Sequence, residues 1–141
     1  MSVSDEQKKI IQQFTEMEDW DEKYAFLIKL GKDLGELDPE IKIEKNKISG
    51  CQSQVWMHAK LEDGKMIIFG DSDAMIVKGL IAMLIKVYSN QKPSDILSSP
   101  PEFLHKIGID KHLSPTRKNG LGAMLKQIQL FAVAFKTISS E

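Results

Sequence analysis

An α+β fold, with a small antiparallel sheet of about three strands packed against several helices, is predicted by three features of the sequence. Residues Val55 to Leu61 alternate between apolar and polar, and Glu62-Asp63-Gly64-Lys65 turns that segment into a second apolar run, Met66 to Phe69. Stripes of apolar residues at helical spacing lie on both sides of this hairpin. An antiparallel sheet often keeps one face dry, so the apolar face of the hairpin calls for helices to cover it.

The first helix is expected from Ser4 and Gln7, which have capping-box spacing, with Ile10, Ile11, Phe14 and Met17 on one face. Asp19 and Glu22 repeat the box ahead of Trp20, Tyr24, Leu27, Ile28 and Leu34, and Gly35 offers a left-handed stop. Glu36 to Asn46 is charged and holds Pro39, which predicts a surface loop ending in a short extended piece at Lys47 to Ser49. In the hairpin, Val55, Met57, Ala59 and Leu61 point to one side, and Gln54, Trp56, His58 and Lys60 to the other.

Asp71-Ser72-Asp73 supplies cap-type residues before Ile76, Val77, Leu80, Ile81, Leu84 and Tyr88, the clearest amphipathic pattern and the predicted central helix. Gly79 inside it costs about 1 kcal/mol relative to Ala, which points to a close approach by another element. After a break at Lys92-Pro93-Ser94-Asp95, two further helix starts are marked by Ser99 before Pro100-Pro101-Glu102 and by Ser114 before Pro115. The last helix is expected from about Thr116 or Asn119, with Leu121, Met124, Leu125, Ile128, Ala132 and Phe135 inward.

At 141 residues, with 42% apolar and 28% charged residues, the chain is expected to form one domain over residues 1–141. Nineteen Lys and Arg against twenty Asp and Glu give a charge of -1, with no cationic excess for nucleic acid or an anionic membrane. A protein or small-molecule partner is therefore expected. The longest apolar run, around Ile81 to Ile85, is short of the roughly 20 residues of a membrane span, and Met1 to Ile10 lacks the pattern of a signal peptide. These features predict a cytoplasmic protein with no membrane partner.

Cys51 is the single cysteine, which excludes an internal disulfide, a Cys-x-x-Cys pair and a multi-thiolate metal site within one chain. A lone cysteine is most often a small buried hydrophobe. Here it is followed by the polar run Gln52-Ser53-Gln54, and Gly50 before it is read as a flexible position that brings the thiol to a loop at the sheet edge. His58, His105 and His112 are the candidate bases for a cysteine hydrolase, but surface and capping roles are commoner for histidines so placed, and their spacings match no zinc pair. Asp71 and Asp73 read as carboxylates at a helix start rather than as metal ligands. Arg117 lies at another helix start, where a cation opposes the dipole, so it is either a partner contact or a solvated surface arginine.

Three blocks resemble the SufE family: GCQSQVW (Gly50 to Trp56) is similar to its active-site signature, and GDSDAMIVKGLIAML (Gly70 to Leu84) and HLSPTRKNGLGAML (His112 to Leu125) are similar to two further blocks. Trp20-Asp21-Glu22-Lys23-Tyr24 adds to the likeness, which covers most of the chain. The resemblance implies a fold like that of SufE and iron–sulfur scaffold proteins and a non-enzymatic role in iron–sulfur cluster assembly. Cys51 would accept persulfide sulfur from a pyridoxal-phosphate cysteine desulfurase of the SufS type, or from a related CsdA-like one. It would stimulate that enzyme and pass sulfur to a SufB-containing scaffold, with no cofactor of its own.

Gln52, Asp73 and Arg117 are the candidate partner contacts. The transfer is a thiol exchange for which one cysteine suffices, and no second thiol is present to release the sulfur early. No basic residue lies nearer in sequence than Lys47, so activation is expected to depend partly on the desulfurase complex, with Cys51 partly sheltered at rest. Two other classes compete: a hydrolase, which needs a histidine at Cys51, and a binding module, in which Cys51 is dispensable.

Overall fold

In the computed structural model, which describes residues 2–49 and 51–139, the hairpin is set by its turn. Asp63 and Gly64 take positive φ angles of 52° and 77°, as a two-residue hairpin turn requires, and join β1 (Val55–Glu62) to β2 (Lys65–Ser72). The register runs from Val55 opposite Ser72 to Glu62 opposite Lys65.

Among the described residues the sheet has two strands, not about three. The extended piece expected at Lys47 to Ser49 is a single bridge, Lys47 to Trp56, with the Ile48 N–H donating to the Val55 carbonyl at 2.9 Å. A 3-10 turn at Glu44–Asn46 ends immediately before it and a turn at Ser49 follows, so no length remains for a ladder. On the other edge Gln91 makes a lone bridge to Met66. Trp56, expected on the outer face, is buried there because the Glu36–Asn46 loop folds over it, with Lys42 Nζ 4.7 Å from its ring centre.

Helix α1 (Val3–Thr15) starts two residues before the expected box. Ser2 Oγ accepts the Asp5 N–H at 3.1 Å while the Asp5 carboxylate accepts the Ser2 N–H at 3.2 Å. The earlier start lets Val3 join Ile10 and Phe14 in the core, and it leaves the Gln7 amide to donate to the Pro100 carbonyl. Helix α2 (Trp20–Leu34) begins and ends as expected, capped by Asp19 and stopped by Gly35 at φ 76°. Its Glu22 carboxylate reaches the Glu18 N–H, one residue beyond a reciprocal box.

Helix α3 (Met75–Tyr88) is the central one, buried on nearly every side against α1, α2 and β2. A Cβ placed on Gly79 would overlap the Leu27 carbonyl oxygen, and one on Gly31 would stand 2.9 Å from the Gly79 nitrogen, so α2 and α3 touch backbone to backbone. The cap expected from Asp71-Ser72-Asp73 is not one. Ala74 holds the N-cap position without a side-chain bond, Asp71 and Ser72 belong to β2, and both are buried.

The break at Lys92 to Asp95 opens a short helix, α4 (Pro93–Ser98), because Pro93 sits where the first turn tolerates it. Helix α5 (Phe103–Ile107) follows Glu102 rather than Ser99, whose hydroxyl donates to Asp95 instead. Helix α6 (Pro115–Ser139) begins at Pro115, ahead of Thr116 and Asn119, because Ser114 Oγ accepts the Arg117 N–H at 3.2 Å. Its Leu121, Met124, Ile128 and Ala132 are buried, with Leu125 and Phe135 partly so.

By length and composition alone, Pro115–Ile138 is long and apolar enough to cross a membrane, although Arg117, Lys118, Lys126 and Lys136 interrupt its apolar run. One face of it packs into the core through Met124, Ile128 and Ala132.

Two glycine substitutions separate packing from backbone entropy. Gly79→Ala is expected to destabilise the fold by about 1–3 kcal/mol through overlap with α2. Gly122→Ala, on α6 with open space around it, is expected to stabilise by about 0.5–1 kcal/mol. Urea unfolding of both variants beside the parent measures the two signs.

Candidate functional site

Cys51 is carried on a loop pinned at both ends. The Ile48 N–H donates to Val55 on one side. On the other, the Gln54 N–H donates to Asp73 Oδ1 at 3.0 Å and the Asp73 N–H donates back to the Gln54 carbonyl at 3.3 Å. Between the pins Cys51 lies against α6, its Sγ 3.9 Å from the Gly120 carbonyl. A Cβ on Gly120 would meet Sγ at 3.7 Å, in van der Waals contact, so the helix backs closely onto the thiol here. Gly50, expected to supply flexibility beside Cys51, lies outside the described residues.

The thiol opens into a cavity of about 310 Å³. Val77 and Leu80 from α3 and Met124 from α6 give it an apolar floor, while Ser114, Thr116 and Arg117 at the start of α6 form a polar rim with Gln52 and Ser53. Cys51 itself is half-buried, and this burial pushes its thiol above the ordinary value. At rest the group is a thiol in a cavity whose rim carries Arg117. A protonated thiol is a weak nucleophile, so the arrangement stores the group rather than primes it.

Of the three candidate contacts, Gln52 and Arg117 share the cavity with Cys51. Asp73 is not among its walls and serves instead as the clip on Gln54. A second carboxylate, on β2, ties down the neighbouring 36–46 loop. Asp71 pairs with Lys78 at 3.2 Å and Lys42 at 3.5 Å, and it accepts the N–H groups of Ser72 and Leu37 at 2.8 and 3.3 Å. Burial alone would raise its pKa, but the Leu37 and Ser72 amides and Lys78 outweigh that and hold the carboxyl below its usual range.

The histidines go elsewhere. His58 faces Phe69, and His105 Nδ1 lies 3.1 Å from Asp110. The His112 ring stacks 3.8 Å from Trp20, with Nδ1 donating to the Gly108 carbonyl at 3.0 Å. The Cys51 cavity has no histidine in its lining, so the thiol–imidazole pair of a hydrolase is not formed. Among the described residues no group of three or more His, Cys, Asp or Glu side chains is placed to hold a metal ion.

Sequence reasoning missed the Gly120 wall, the Asp73 clip and the Trp20–His112 stack, which with the Tyr24 hydroxyl bond to the His112 carbonyl ties α2 to the start of α6. The available signal was that Trp20 to Tyr24 and His112 to Leu125 stood out as separate blocks.

Two measurements test this geometry. Alkylation of Cys51 by iodoacetamide should be slower in the folded protein than in urea at neutral pH, with a pH profile that rises later, because burial disfavours the thiolate. Asp71→Asn should cost about 2–3 kcal/mol, less than a fully desolvated pair because Lys42 and Lys78 keep access to water. With a depressed folded pKa, the wild-type advantage is present above the unfolded value of 3.8 and is lost as pH falls through the lower folded one. Denaturant unfolding of the two proteins from neutral pH downward follows that loss.

Comparison with known proteins fits this arrangement. A solution structure of a hypothetical protein from Thermus thermophilus superposes with a TM-score of 0.79 at 22% identity, covering 94% of this chain and 96% of that one, which establishes a shared fold. A SufE-like protein of Synechocystis sp. is 41% identical over 128 residues, 91% of this chain and 80% of its own length. Residues 8–132 match the SufE family pattern, described as an Fe-S metabolism associated domain. The chain, whose single cysteine sits on a doubly pinned loop over a polar-rimmed cavity, belongs to the SufE family.

Proposed function

We propose that the protein is a sulfur carrier: Cys51 takes persulfide sulfur from a pyridoxal-phosphate cysteine desulfurase of the SufS type and hands it to a SufB-containing scaffold for iron–sulfur cluster assembly. The observation that carries this is the setting of the lone cysteine, half-sheltered in a cavity whose rim holds Arg117 and Gln52. In the exchange, the Cys51 thiolate attacks the outer sulfur of the donor persulfide. A new S–S bond forms on Cys51, the donor S–S bond breaks, the donor cysteine leaves as thiolate, and the Cys51 proton passes to solvent or to a base on the partner. No net oxidation occurs. Removing the sulfur frees the donor cysteine for another turnover, which accounts for stimulation of the desulfurase.

The cavity suits the carrier state as well as the resting one. A persulfide held against Val77, Leu80 and Met124 is shielded from reductants and from over-oxidation, and Arg117 supplies a cation for its negative charge. The raised thiol pKa supports activation in the complex rather than in the free protein. A histidine-dependent hydrolysis has no observation in its favour.

Incubation with a SufS-type desulfurase, pyridoxal phosphate and cysteine, followed by intact-mass analysis, tests the proposal. The wild type should gain one or more sulfur atoms, reversibly with reductant, and Cys51→Ser should gain none. Arg117→Ala, on an exposed side chain, should still fold but load at least about tenfold more slowly, the scale of one lost charge-assisted hydrogen bond. Failure of the wild type to gain sulfur from several desulfurases would end the proposal.

A further inference from the structure

The free edge of β2 is paired along only part of its length. Every second residue of the strand turns its backbone groups away from β1. Met66 is the first of these: its N–H donates to the Gln91 carbonyl at 2.8 Å and its carbonyl accepts the Asn90 N–H at 2.7 Å. Ile68 is the second, and its N–H donates to Ser89 Oγ at 2.9 Å. Gly70 is the third, beyond the 89–91 segment. Among the described residues its N–H and C=O have no hydrogen-bond partner, and neither has the Ile68 C=O, although both residues are buried. Buried backbone groups left unpaired are uncommon and costly.

These groups line a cleft of about 450 Å³, within the size range of ligand sites. Leu34, Leu37, Ile41 and Ile85 give it apolar walls, and Glu36 and Asp38 stand exposed on it. No Lys or Arg is in its lining, and the neighbouring Lys42 is turned to Asp71. Among the described residues neither Glu36 nor Asp38 has an ion-pair partner. The cleft shares no lining residue with the Cys51 cavity, and it lies on the opposite edge of the hairpin from the bridge at Lys47.

We propose that this cleft is a peptide-binding site, in which an extended segment of a partner protein lies along Gly70 as an added strand. The backbone of the segment meets the Gly70 N–H and C=O, an apolar side chain packs on the Leu37, Ile41 and Ile85 walls, and a Lys or Arg faces Glu36 and Asp38. A second copy does not supply this strand from the same edge. Its own Gly70 is equally recessed, two recessed edges do not reach the roughly 4.8 Å of strand pairing, and its carboxylates would face these. An acyl chain would leave the Gly70 groups unpaired and bring its carboxylate against two others. The proposal does not depend on the sulfur-carrier role, and a segment held here leaves the Cys51 cavity open.

The test uses the full chain, isotope-labelled for amide exchange. In the free protein the Gly70 amide should exchange about tenfold or more faster than those of Phe69 and Asp71, which the ladder holds. The probe is a phage-displayed library of random peptides of about nine residues, selected on the wild type and counter-selected on a protein with Glu36→Lys and Asp38→Asn. Both changes are at exposed positions, and Asn keeps an oxygen for the Glu40 N–H that Asp38 binds, so thermal unfolding should match the wild type. The selected peptides, made synthetically, should alternate apolar residues, carry Lys or Arg and bind more tightly than about 1 mM. They should slow Gly70 exchange about tenfold or more, and bind the double variant about threefold or more weakly. N-methylation of alternate peptide residues should abolish binding in one phase and spare it in the other. No peptide binding tighter than about 1 mM, binding that leaves Gly70 exchange unchanged, or a Gly70 amide as slow as its neighbours in the free protein would overturn the proposal. So would Gly70 protection that rises with the concentration of the protein alone, which identifies a second copy, or protection by laurate, which identifies an acyl chain.

Discussion

Backbone contact between α2 and α3 at Gly31 and Gly79 is the constraint on which the site depends. With no Cβ at either position, the Leu27 carbonyl can rest on Gly79, and that contact fixes the height and rotation of α3. The residues flanking Gly79 are the ones the site uses. Val77 and Leu80 floor the Cys51 cavity, and Lys78 reaches Asp71 on β2. A glycine that weakens an isolated helix thereby sets one wall of the chemistry.

The thiol is subject to opposed demands. A carrier must react quickly with one donor and one acceptor yet hold its cargo against every small molecule in between. Partial burial meets the second demand at the expense of the first, since desolvation disfavours the thiolate. The two pins reconcile them, because movement confined between Ile48 and Gln54 can present the thiol without breaking the β1–β2 ladder. Under the proposed carrier role, reactivity then belongs to the complex rather than to the free protein.

Much of this was legible in the sequence. The hairpin, its turn, the central helix and the meaning of Gly79 all follow from local period and local chemistry, which need no knowledge of distant partners. The misjudged features were settled either by competition between adjacent segments or by residues far away in the chain. The third strand shrank to one bridge because neighbouring turns consumed its length, and the α1 cap moved to Ser2 because burial of Val3 favoured an earlier start. Cys51 was visible as the only thiol, but its seat was not, since Gly120 lies 69 positions along the chain. Arg117 could be flagged by its poor fit to a helix start; that it shares a cavity with Cys51 could not.

Asp71 and Asp73 make the same distinction in chemical terms. Two carboxylates spaced by one residue suggest an acid pair, a metal site or a helix cap, and all three assign them to chemistry or to local structure. Instead each holds a different loop: Asp73 grips the Gln54 backbone beside Cys51, and Asp71 ties Leu37 and Lys42 of the 36–46 loop to β2 and to Lys78 of α3. A carboxylate suits this because it accepts several strong bonds at once and is penalised heavily if any buried lone pair goes unmet. The Trp20–His112 stack performs the matching task across the cavity, setting the start of α6 and with it Ser114, Thr116 and Arg117. The blocks that stand out in the sequence thus largely position the Cys51 loop and its cavity: on the proposed carrier role, a thiol that must be both protected and deliverable needs its surroundings held more firmly than it is held itself.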